Sequence, residues 1–165
     1  MRILGIDPGS RYCGYGVVER VAAGRVRYVE CGILEPGRDR PLHLRLAEIL
    51  DGIREVIQEL QPRVVAVEGV FHGVNARSAL QLGHSRGVAL VAAGERELDV
   101  FEYAPATVKR AVAGHGRASK EQVGAMVRSL LDLQRTPRLD ASDALAVAIC
   151  HAFRHKLVAL PEVQL

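Results

Sequence analysis

The chain has 165 residues, 48% of them apolar and 25% charged, with a formal net charge of +3. That is the balance of one globular domain with a full core, and no uncharged apolar run reaches the ~18 residues that span a bilayer. The opening "MRILGID" lacks a signal-peptide layout because Asp7 interrupts it, and Cys13, Cys31 and Cys150 are widely spaced with no C-x-x-C, so neither a zinc site nor a disulfide framework is indicated and buried thiols in a reducing cytoplasm are expected.

Residues 2–7 read as a buried strand that ends on Asp7, with the turn Pro8-Gly9-Ser10 directly behind it. Residues 13–19 and 25–34 are two further strands, and "AAGR" between them is a hairpin turn. From Pro41 to Leu60 the apolar residues recur at 42, 46, 49, 50, 53, 57 and 60. That spacing predicts a helix, with Pro41 in its first turn and Pro62 beyond its end. "RVVAVEGV" is a short β-branched strand ending at Glu68, and "NARSALQLGHSRGVALVAAGEREL" is a long Ala- and Leu-rich helix. "DVFEYA" is a fifth strand. Short helices follow from about Pro105 to Ala113 and from Ser119 to Leu131, the second with a Ser119–Gln122 capping box. "LDASDALAVAICHAFRH" is the last helix. Strands 1, 4 and 5 alternate with helices and are expected to be parallel; strands 2 and 3 join by short turns and are expected to be antiparallel. The predicted fold is α/β, a five-stranded mixed sheet with helices on both faces. Its chemistry is expected at the carboxyl ends of the parallel strands.

Charge is unevenly spread. No acid occurs from Gly69 to Gly94, where Arg77 and Arg86 lie beside His72 and His84. From Pro105 to Arg128 five basic residues, Lys109 and Lys120 among them, face one acid, Glu121. The middle of the chain thus offers a positive surface suited to a phosphate backbone, although a solvated basic face explains the charge equally well. The acids point further. Singly, Asp7 suits a turn, Glu68 an exposed strand end, and Asp140 or Asp143 a helix start. Together, two apolar strands that each end on an acid, and a helix that opens on an acid pair three residues apart, predict four carboxylates in one place. Like charges at close range force protonation or call for a cation. An all-oxygen donor set suits Mg²⁺ or Mn²⁺. Asp7, Glu68, Asp140 and Asp143 are therefore the candidate metal ligands.

"ILGIDPGSR" with "GYGVV", "VEGVFHGVNARSALQLGHSRGVAL", "VFEYAPATVKRAVAGHGRASKEQV" and "LDASDALAVAICHA" closely resemble the RuvC family of Holliday-junction endonucleases. The likeness runs from about residue 2 to 155 in one register. It implies a ribonuclease-H-like fold over residues 1–156, with 157–165 a weakly structured tail. It also implies a homodimer that resolves four-way DNA junctions by two symmetric nicks in strands of like polarity, in recombination and repair. Two Mg²⁺ or Mn²⁺ ions per subunit are expected, with Asp7 bridging them. The family's four acidic positions fall on Asp7, Glu68, Asp140 and Asp143, and some relatives carry histidine where Asp140 stands. Phe71 matches an aromatic used against junction bases, and Lys109 and Lys120 match basic residues near the scissile strand, with Lys120 offsetting phosphate charge. Asn75 and Arg77 complete the expected DNA-contact set. RuvA and RuvB are the family's usual partners, and no membrane is implied. Gly69 and the segment 36–41 depart from the family pattern. Two rival readings stand beside this one: a non-catalytic junction-binding module, and an actin-like ATPase lobe suggested by "GIDPGS". The second needs another lobe and an Asp-x-Gly loop that the sequence lacks.

Overall fold

The computed structural model describes residues 1–69 and 76–155, with Arg77 described by its backbone only. Strands β1 (Arg2–Asp7), β2 (Cys13–Ala22), β3 (Arg25–Leu34), β4 (Val64–Glu68) and β5 (Asp99–Tyr103) form one sheet in the order β3-β2-β1-β4-β5. β1, β4 and β5 are parallel, and β1-β2 and β2-β3 are antiparallel. The strand directions follow the expectation. Gly24, at φ 67, turns the hairpin between β2 and β3. β2 runs three residues past the predicted end and carries register shifts against β3. An exposed hairpin tip gives no burial pattern from which to read its end.

Alternation along the strands assigns the two faces. Leu4, Ile6, Val65 and Val67 face α1 (Leu42–Leu60) and α2 (Ala76–Gly94). Ile3, Val64 and Ala66 face the other layer, built from α3 (Pro105–Ala113), α4 (Lys120–Leu130) and α5 (Leu139–Arg154). α5 is the central helix, buried from Ala144 to Ala152 and lying across β1 and β2. α4 begins with the predicted capping box, Ser119 accepting from the Gln122 amide and Gln122 accepting from the Ser119 amide. Pro41 caps α1 from outside instead of joining its first turn, and Gln61 closes the helix in the left-handed region before Pro62. α2 stops at Gly94, short of the predicted Leu98, because Arg96 and Glu97 turn the chain toward β5. Cys13 and Cys150 are buried, but Cys31 is only half-buried, since β3 is the sheet edge. The expected tail over 157–165 lies outside the described residues.

Candidate active site

Period-two geometry places the first two acids. Asp7 follows Ile3 and Gly5 on the α5 face of β1, and Glu68 follows Val64 and Ala66 on the same face of β4. Ile6 pairs with Val67, so continued register sets Asp7 beside Glu68 at the carboxyl ends of two adjacent parallel strands. The other two acids come from α5, which lies unusually close to the sheet. A Cβ on Gly5 would stand 2.0 Å from the Ala144 carbonyl oxygen, and one on Gly14 would stand 2.1 Å from that of Asp140. Only hydrogen at those positions lets α5 sit on β1 and β2. The same contact sets Asp140 and Asp143 over Asp7.

The electrostatics follow from that crowding. Asp7 is pushed up to about 8, by burial first and then by the charges of Glu68, Asp143 and Asp140. Glu68 is raised as well, by burial and then by Asp143. Lys120 Nζ donates to Asp143 at 2.7 Å, where the Asp143 side chain is 17% exposed. Burial works against the Lys120 charge, but the Asp143 hydrogen bond and the nearby charges of Asp143, Asp7 and Glu68 outweigh it and raise its pKa. Lys109 is close enough to Glu68 to oppose its upward shift. Glu68, Asp143, Lys109 and Lys120 line one cavity of about 250 Å³, floored by Val108, Val123 and Ala146.

Asp7 is therefore brought into electrostatic range of Glu68, Asp140 and Asp143, and Lys109 and Lys120 join the group. Among the described residues, no group of three or more His, Cys, Asp or Glu side chains is already gathered as a metal cage. Asp143 is turned to Lys120. The donor set nonetheless fits a hard divalent cation: oxygen only, partly buried, and carrying more like charge than neutral pH tolerates. Phe71 and Asn75 lie outside the described residues, and Arg77 stands in the first turn of α2. Sequence reasoning missed a second basic cavity of about 930 Å³ on the Asp140 side, walled by Arg11, Arg38, Arg40 and Arg45. The run "GRDRP" was its only signal, and its two arginines flank an acid.

A mixed 3-2-1-4-5 sheet with acids at the ends of its first and fourth strands and on its last helix defines a ribonuclease-H-like protein of the junction-resolvase type. The family model of the crossover junction endodeoxyribonuclease RuvC matches residues 3–151, and the chain belongs to that family. RuvC of Syntrophotalea carbinolica is 53% identical over 152 residues, covering 92% of this chain and 94% of its own. RuvC of Halorhodospira halophila is 55% identical over 152 residues, 92% of this chain and 89% of its own. Thermus thermophilus RuvC, solved in complex with a Holliday junction substrate, superposes with a TM-score of 0.86 at 39% identity over 93% of each chain. The yeast mitochondrial Holliday junction resolvase shares the fold, with a TM-score of 0.65 at 11% identity over 92% of this chain and 78% of its own.

Proposed function

We infer that the chain is a structure-specific endonuclease that resolves four-way DNA junctions. It hydrolyses phosphodiesters at two symmetric positions in strands of like polarity, in recombination and repair. The observation that carries the reading is the shared face of Asp7 and Glu68 beneath Asp140 and Asp143. A binding module would gain nothing from four acids there, because carboxylates repel phosphate.

Asp7, Glu68, Asp140 and Asp143 would hold Mg²⁺ or Mn²⁺, two ions per subunit. When bound, such ions polarise the phosphate and lower the pKa of an attacking water. The chain's own residues do the rest. β1 and β4 are stiff, buried strands, so their terminal carboxylates are held in place without loop entropy. Lys120 offsets negative charge at the phosphate; its present partner Asp143 holds the ammonium at the site. Lys109 sits across the same cavity and suits a flanking phosphate. The apolar floor of that cavity limits water around the reacting group. Phe71, Asn75 and Arg77 are assigned to DNA contact, with Phe71 stacking on a junction base.

Two symmetric nicks call for two sites related by a two-fold axis, which a homodimer supplies. α2 offers a face for it. Leu80 and Val91 are 63% and 53% exposed. A Cβ added at Gly83 or Gly87, on the turns between them, would meet no atom within 4 Å. Residues 80, 83, 87 and 91 fall on one stripe of the helix, and its two glycines allow close approach of a second backbone. Among the described residues no helix is long and apolar enough to cross a membrane. We place the protein in the cytoplasm, with RuvA and RuvB as partners and residues 1–156 as its nuclease domain.

The test compares a synthetic four-way junction with linear duplex of the same sequence. Paired nicks are expected on the junction alone, with Mg²⁺ or Mn²⁺, and none in EDTA. Junction binding without cutting in either metal would establish the module instead.

A further inference from the structure

We propose that the cavity walled by Arg11, Arg38, Arg40 and Arg45 is a second strand-binding subsite, which takes phosphates of the DNA strand on the Asp140 side of the carboxylates. The inference rests on the nuclease reading above and extends its substrate path into a region the sequence left unassigned.

Five separate segments build the cavity: the turn behind β1, the 36–41 connection, the starts of α1 and α2, and the start of α5 at Asp140. Its lining carries four arginines against two acids, Asp39 and Asp140. Asp140 also belongs to the carboxylate group, since its charge acts on Asp7. The lysine cavity opens on the other flank of that group, at Glu68 and Asp143. The carboxylates therefore lie between two basic walls. A strand that crosses the carboxylates is repelled at the centre and attracted on both sides. A small anion would need one wall only.

Arg38 and Arg45 are held in place with donors to spare. Arg11 is exposed and enters no ion pair among the described residues. Arg38 spends one donor on the Tyr12 hydroxyl at 2.8 Å. Arg45 donates to the Ser10 carbonyl at 3.3 Å, and its buried Nε has no partner among the described residues. Arg40, just ahead of α1, pairs with Glu48 on the second turn of that helix. Tyr12 is fixed in turn by Arg138, whose guanidinium carbon lies 5.9 Å from the ring centroid. Guanidinium forks that keep free donors in fixed places are suited to phosphate oxygens. With Arg11 and Arg40 beside Arg38 and Arg45, positive charge spread across about 930 Å³ suits successive phosphates of a strand.

The test measures junction affinity in EDTA, without cutting, at several salt concentrations. Each lost phosphate contact lowers the slope of log affinity against log salt by about 0.9. The double variant Arg11→Gln, Arg38→Gln is expected to lose between one and two from that slope and to bind about tenfold more weakly. Arg11→Lys with Arg38→Lys should keep most of both, because the charge remains. Arg96→Gln, at the opposite end of the sheet, should change neither. If the double variant fails to fold, Arg11→Gln alone carries the test with a slope loss of about one. Wild-type slope and affinity in the glutamine variants would overturn the subsite. That result is separable from failure of the nuclease reading, which shows as wild-type protein that never cuts.

Discussion

Asp7 is a neutral acid at neutral pH in the metal-free chain, because burial and three neighbouring carboxylates lift it to about 8. In the unfolded chain it ionises near its ordinary 3.8. Between those values the folded state binds more protons than the unfolded state, so stability falls as pH rises from about 4 to 8. Removing the titrating group removes that loss. Asp7→Asn is therefore expected to be more stable than wild type in EDTA at pH 8, by several kcal/mol, and the advantage should shrink toward pH 5. Thermal melts at the two pH values read this directly, as a Tm difference of about 5–10 °C at the higher pH. Equal melting at both would show that Asp7 is not under charge strain. Lys120 is the opposite case: Asp143, Asp7 and Glu68 favour its ammonium, so it is a fixed positive charge at any working pH.

At the scale of elements, the site is a consequence of how α5 meets the sheet. Gly5, Gly14 and Gly16 all lie on the α5 face, and a Cβ on any of them would strike that helix. Gly14→Ala would push the Asp140 backbone away by overpacking, at a cost of roughly 1–3 kcal/mol. Cutting is expected to fall by at least about tenfold, since misplacing a catalytic group by an ångström costs that much or more. Melts and nicking rates on one preparation check both effects; unchanged cutting would show that α5 does not set the site. Much of this was legible in the sequence. An apolar strand with an acid at its end fixes both the direction of Asp7 and its face, and the same holds for Glu68. The spacing of Asp140 and Asp143 fixed their common side of a helix. The arginine cavity was not legible, because Arg11, Arg38 and Arg45 come from a turn, a connection and a helix. No periodicity links such elements; only the packing of α1 beside the β1–β2 turn brings them together. Pro41 was misplaced by one position for a similar reason, since a proline's fixed φ suits the cap and the first turn alike.

For the whole molecule, one subunit supplies one group of acids with a lysine wall and an arginine wall on its flanks. In the proposed homodimer, joined through the exposed stripe of α2, a junction with two scissile strands would engage both subunits. The proposed substrate path would then run over both basic walls in each subunit, with divalent cations offsetting the acids at its centre. The measurement that bears most directly on this account is nicking of a synthetic four-way junction by Asp7→Asn in Mg²⁺, with binding followed on the same sample. The account predicts junction affinity close to wild type and cutting reduced by at least about a hundredfold, the loss typical of removing one group that stabilises the transition state. Cutting by Asp7→Asn near the wild-type rate would contradict it.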